Sequence, residues 1–257
     1  MSWNDFIYYA IGALSLWIAG AVSLYAFKKS LTGNILIVAG ILVFAFFIGG
    51  LWQGQGHPPM RTMGETRLWY SFFITTVGFA TYLRWGYKWL MAYSVVVSAV
   101  FIFINLLKPQ IHTANLMPAL QSYWFIPHVT VYMLSYALLG AATIASFLAI
   151  KEVKKGNLRL MELIDNLVYI GLGLLMLGML MGALWAKEAW GDFWSWDPKE
   201  VWAFITAAAY LVYIHCRVMK YNLKYLLWLL PLSFLFLMIT WIGVNYLPAA
   251  QGSIHVY

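Results

Sequence analysis

The chain has 257 residues, 63% hydrophobic and 10% charged, with a formal net charge of +7 and a mean hydropathy of +0.76. A soluble domain is roughly half apolar and about a quarter charged, so this composition indicates a polytopic membrane protein, and no polar stretch is long enough to form a separate soluble domain. The basic excess is that of membrane-protein loops rather than of a nucleic-acid-binding face, and the single cysteine, Cys216, excludes an internal disulfide or a CxxC redox pair.

Met1 to Asp5 carries no lysine or arginine, and the apolar run to Phe27 is too long for the h-region of a signal peptide, so it is expected to be a retained first span. A transmembrane helix needs about 20 mostly apolar residues. About eight such spans are expected, at 5–27, 34–52, 67–84, 89–107, 124–150, 160–186, 201–216 and 225–246, in one all-α integral membrane domain covering 1–257.

The connections after spans 1, 3, 5 and 7 carry Lys28, Lys29, Arg84, Lys88, Lys151, Lys154, Lys155, Arg159, Arg217, Lys220 and Lys224; the opposite side carries Arg61, Arg67, Lys108, Lys187 and Lys199. Lysine and arginine collect in cytoplasmic loops. Both termini are therefore expected outside, in a bacterium on the periplasmic face of the inner membrane, together with the stretch around His57, the segment 108–123 and the loop near residue 190. The loop Gln53–Thr66, with Gly54, Gly56, Pro58, Pro59 and Gly64, is expected to interrupt regular helix.

The stretch 187–200 holds Trp190, Gly191, Trp194, Trp196 and Asp197, with Trp202 just beyond. Asp197-Pro198-Lys199-Glu200 has the form of a helix start: an N-cap aspartate, proline at the first helical position, and a glutamate that completes a capping box. Indoles offer flat faces and an N–H donor, and Gly191 lets the backbone turn or approach a ligand. Such a platform suits a porphyrin, a quinone or another planar lipid-soluble molecule. The aromatic belt at the membrane surface accounts for Trp3, Trp89 and Trp228, but not for three indoles packed with two aspartates and a glycine.

The chain has five histidines: His57, His112, His128, His215 and His255. All but His215 fall on the expected outer side, where they can snorkel to water or bind haem iron, for which histidine is a common ligand. His215 lies 15 residues beyond Glu200, about 22 Å further along a helix. At that depth an ionisable group is a functional candidate, or, beside Arg217, a marker of the membrane boundary.

Trp190-Gly191-x-x-Trp194-x-Trp196-Asp197 resembles the tryptophan-rich WWD signature of haem-handling membrane proteins. The stretch from Trp190 to Trp202 is similar to that of the CcsA-type proteins of system II cytochrome c biogenesis, the ResC/CcsA group. Pro127-His128-Val129 with Met133-Leu134-Ser135-Tyr136 resembles the family's first external histidine and its following helix, Tyr213-Ile214-His215-x-Arg217 its membrane-embedded histidine, and His255 the second external one. Gly56-His57-x-Pro59 and Glu65 resemble its outer loop.

The resemblance implies a haem-handling subunit of a cytochrome c synthase, which binds haem b and presents it at the outer face for thioether attachment to the CxxCH motif of apocytochrome c. It implies that His128 and His255 ligate the iron while the loop holds the macrocycle, with His57 or His112 in reserve as second ligand. His215 would bind haem in transit, together with a histidine from a ResB/CcsB-type membrane partner. It further implies a separate thiol-reducing protein, and haem lyase activity only in company with that partner. The alternatives are a CcmC-like protein that delivers haem to a chaperone, for which six spans are usual, and a quinone-binding membrane subunit.

Overall fold

The computed structural model of the protein describes residues 1–26, 30–112, 122–153 and 156–248. These form eight long helices: α1 (Phe6–Tyr25), α2 (Ser30–Gln55), α3 (Met63–Trp85), α4 (Lys88–Leu107), α5 (Phe125–Val153), α6 (Arg159–Trp190), α7 (Pro198–Val218) and α8 (Leu223–Trp241). There is no strand among the described residues. Backbone polar groups in hydrocarbon must be satisfied within the protein, and a helix does this inside one segment. Seven of the helices are long and apolar enough to cross a membrane, and the protein is an all-α polytopic membrane protein.

The eight helices stand where eight spans are expected, with instructive differences. Helix α2 runs on through Gln53–Gln55, so the glycine- and proline-rich break is confined to 56–62. Helix α6 continues to Trp190, leaving only 191–197 outside regular helix. Helix α8 stops at Trp241 and passes into a tight turn, Gly243–Tyr246, after which Leu247, immediately before Pro248, is extended.

The exception among the eight is α3. Its 23 residues are long enough, but Glu65, Arg67 and Arg84 lie near its ends and Ser71 and Thr75 within it. Those hydroxyls are turned onto α4: Ser98 donates to the Ser71 carbonyl at 2.5 Å, and the Thr75 and Ser98 hydroxyls are 2.6 Å apart. All three side chains are fully buried. The low hydropathy of α3 thus records a polar seam between helices, which in lipid needs its partners inside the protein.

The chain forms two compact units, Met1–Leu120 and Gln121–Tyr257. In the first, α1 packs on α2 and α4, and α3 on α4. At the end of this unit that holds Arg84 and Lys88, Lys88 donates to the Leu24 carbonyl at 2.6 Å, tying the start of α4 to the end of α1. In the second unit, α5 lies antiparallel on α6, α8 packs on α5 and α7, and α6 touches α7. Its basic end carries Lys151, Arg159, Arg217, Lys220 and Lys224; its loop end carries residues 191–197.

Ser98→Ala removes the two inter-helix bonds that the Ser98 hydroxyl makes. The expected cost is about 1 kcal/mol, read as a lower thermal unfolding midpoint of the purified protein; an unchanged midpoint would contradict a stabilising seam.

Candidate functional site

The loop end of the second unit is built by two helix termini. Helix α6 ends at Gly191, whose φ of 95° is a left-handed conformation natural to glycine, and whose N–H bonds the Lys187 carbonyl. Helix α7 starts with Asp197 as cap: its carboxylate accepts from Lys199 N at 3.1 Å. The Glu200 carboxylate reaches back to accept from Asp197 N at 3.1 Å and Ser195 N at 2.8 Å, which completes the capping box.

Those two bonds flank Trp196, and Trp196 has φ of 59°. A bulky side chain in that region costs on the order of 1–3 kcal/mol, so Glu200 holds the backbone where its own preference would not. The strained residue is also largely open to solvent: Trp196 is 67% exposed and Phe193 53%. Trp194 meets Trp196 edge-on at 5.9 Å, and its buried Nε1 has no hydrogen-bond partner. Trp196 in turn meets Phe204 of α7 at 6.5 Å, while the Lys187 ammonium stands 5.4 Å over the Phe193 ring.

Trp190 points the other way, into the unit. Its ring meets Trp185 at 4.8 Å, Trp185 meets His128 at 5.6 Å, and His128 meets Tyr132 at 4.4 Å. Tyr132 stacks on Tyr136 at 5.5 Å, and Tyr136 meets Trp241 of α8 at 5.5 Å. His128 therefore sits at the loop end, one ring removed from Trp190. Its Nδ1 lies 2.8 Å from the Gly178 carbonyl. A carbonyl can only accept, so Nδ1 carries a proton, and whenever the ring is neutral its lone pair is on Nε2, the form that ligates a metal.

The other expected residues are dispersed. Trp202 packs on Phe236 of α8 at 5.9 Å, anchoring one helix to the next rather than lining the loop. His215 is exposed in the last turn of α7, at the basic end. Eighteen residues of helix, about 27 Å, separate it from Asp197. Beside it Arg217 grips Asp165 of α6, Nε to both oxygens at 3.1 and 3.0 Å, and the Tyr213 hydroxyl donates to the same carboxylate at 2.9 Å. His255 lies outside the described residues.

His57 and His112 belong to the first unit. His57 Nδ1 contacts the carbonyl of Pro58 at 3.1 Å. The His112 ring stacks flat on Trp3, centroids 3.8 Å apart, and its buried Nε2 has no partner. Nearby Glu65 is 1% exposed; it accepts from Gln55 Nε2 and from the backbone N–H of Arg61 and Thr62. Burial pushes the His112 pKa below the ordinary histidine value, outweighing a backbone hydrogen bond with Asn105 and the charge of Glu65, which act upward.

The matching sequences decide the family. The family model described as "Cytochrome C assembly protein" matches residues 6–250. The chain belongs to the cytochrome c assembly protein family. Among its relatives are the proteins named cytochrome c biogenesis protein CcsA of Trieres chinensis, 31% identical across 90% of this chain and 88% of the relative, and of Porphyra purpurea, 30% identical across 96% and 95%. That of Guillardia theta is 30% identical across 82% and 81%. The family places the role of this protein in cytochrome c biogenesis.

Four members of this arrangement escape a motif reading: Trp185, Tyr132, Gly178 and Asp165, the carboxylate that Arg217 and Tyr213 hold. The first three are ordinary in an apolar helix. The signal for the last was an acid inside an otherwise apolar span.

Glu200→Ala is expected to release the Ser195 and Asp197 amides and destabilise the loop by about 1 kcal/mol, seen as faster amide exchange over 195–197; unchanged exchange would contradict the tie. For His112 the sign follows from its depressed pKa: stability is full above the ordinary histidine value and is lost as pH falls through the lower folded one. Acidification from about pH 8 to about pH 5 should lower the melting temperature, and His112→Phe, which keeps a ring on Trp3 but cannot titrate, should flatten that dependence. An equally steep dependence in the variant would contradict it.

Proposed function

We propose that the protein binds haem b, as substrate, at the loop end of its second unit and presents it for attachment to apocytochrome c. The observation that carries this reading is the His128 ring, pinned through Nδ1 to a helix carbonyl and one indole away from the tryptophan loop. The residues fit a flat, largely apolar macrocycle. Phe193 and Trp196 offer exposed faces, Trp194 an unpartnered indole N–H, and His128 an imidazole whose Nδ1 donates to a carbonyl.

His255 is the proposed second iron ligand. The haem thus held offers its vinyl groups to the two thiols of a CxxCH segment, and each S–H adds across one C=C with no oxidant. What the protein supplies is placement, since thiol and vinyl react at useful rates only when held close and aligned. Cys216 sits near the far end of α7, in the helical turn with His215, so the reduced thiols depend on another protein. His215, exposed on α7, is proposed to meet haem in transit together with an imidazole from a ResB/CcsB-type partner, and lyase activity is proposed to need that partner. The loop end is proposed to face the outer side of the membrane, opposite the basic connections. Eight helices favour this reading over delivery to a haem chaperone.

A pyridine haemochrome assay with visible spectroscopy on purified protein tests the reading. His128→Ala should remain inserted in the membrane and lose the low-spin haem spectrum; an unchanged spectrum would overturn the assignment.

A further inference from the structure

Helix α5 meets α6 in a regular antiparallel register that sets large side chains of one against glycines of the other: Leu139 on Gly171, Tyr132 on Gly178 and His128 on Gly182. The steps are four and seven residues on both helices, so the contacts lie on one face of each. A β-carbon on Gly182 would lie 2.8 Å from Cε1 and 2.9 Å from Nδ1 of His128, and one on Gly178 would overlap the Tyr132 ring. The imidazole thus occupies the volume that any other residue at 182 would fill. Only that close approach brings Nδ1 to the Gly178 carbonyl, one turn away on the same helix. A helix carbonyl has a second lone pair, so it accepts from the ring without leaving its own helix. Tyr132, packed against the ring at a 59° tilt from the next turn of α5, narrows the rotations open to it.

We propose that Gly178 and Gly182 are positioning residues of the haem site: they form a seat in α6 that holds the His128 ring in one orientation and one tautomer, making Nε2 the ligating nitrogen. The inference rests on His128 being a haem ligand. A carbonyl that accepts from the distal nitrogen of a ligating histidine fixes the ring and raises its basicity. A ring pushed off Gly182 loses that bond and is free to present either nitrogen.

The same helix provides its own controls. At Gly173 a β-carbon meets nothing, whereas at Gly171 it would lie 2.7 Å from Leu139 and strain the helix pair away from His128. The test is haem titration of the purified full-length protein, followed by visible spectrum and pyridine haemochrome, with equal amounts of membrane-inserted protein. Gly182→Ala should weaken haem binding about 10-fold or more and diminish the low-spin spectrum, while Gly173→Ala and Gly171→Ala behave as the parent. Unchanged binding in Gly182→Ala, with His128→Ala losing haem, would overturn the seat alone. Equal losses in Gly171→Ala and Gly182→Ala would also overturn it, because helix packing would then explain both. Retention of the low-spin spectrum in His128→Ala would overturn the ligand reading, and the seat with it.

Discussion

A polar group inside a bilayer has to find its partner within the protein, because lipid offers none. Much of this structure follows from that constraint. Ser71, Thr75 and Ser98 bond one another between α3 and α4. Asp165 is held by Arg217 and Tyr213 between α6 and α7. His128, on a helix that packs mainly through small and apolar residues, turns its Nδ1 to a backbone carbonyl of the neighbouring helix. In each case the partner lies on another helix, so satisfying the group also fixes how two helices meet. For His128 the same bond decides which ring nitrogen carries the lone pair.

Helix ends follow a different logic. Gly191 ends α6 in a left-handed turn and Asp197 with Glu200 begins α7, so the segment 191–197 is anchored at both ends. Within this short span Trp196 is held in a backbone conformation it does not prefer, with its ring largely exposed. Strain of that kind persists when the surroundings over-determine it, and here the surroundings are the hydrogen bonds from the Ser195 and Asp197 N–H groups to the Glu200 carboxylate. The exposed rings face outward from the loop while Trp190 turns inward to Trp185 and His128. The loop thus presents exposed aromatic rings on one side and lies one ring away from His128, the proposed haem ligand, on the other.

Most of the architecture was legible in the chain. Long apolar runs give helices because a helix satisfies its backbone polar groups within one segment, and Asp197-Pro198-Lys199-Glu200 reads as a helix start because capping is local chemistry. The helical state of Lys187–Trp190 was less accessible, since a run of tryptophan, lysine and glutamate does not announce its end until Gly191. The place of α3 was harder still: its hydroxyls depress the hydropathy, and only the structure shows them facing α4. Among site residues, the tryptophan loop stands out by composition, whereas Trp185, Gly178 and Gly182 acquire meaning only from the register of α5 on α6. His215 illustrates the same limit: its position in the chain sets its depth along α7, but not that its side chain turns away from the Asp165 cluster. Such facts are tertiary, and no local pattern encodes them.

The central claim is that haem sits at the loop end of the second unit with His128 as a ligand to its iron. A cryo-electron microscopy map of the haem-loaded protein tests this most directly. The account predicts planar density against the 191–197 loop with the iron bonded to Nε2 of His128. Planar density elsewhere, with His128 still turned to Gly178 and bonded to no metal, would contradict it.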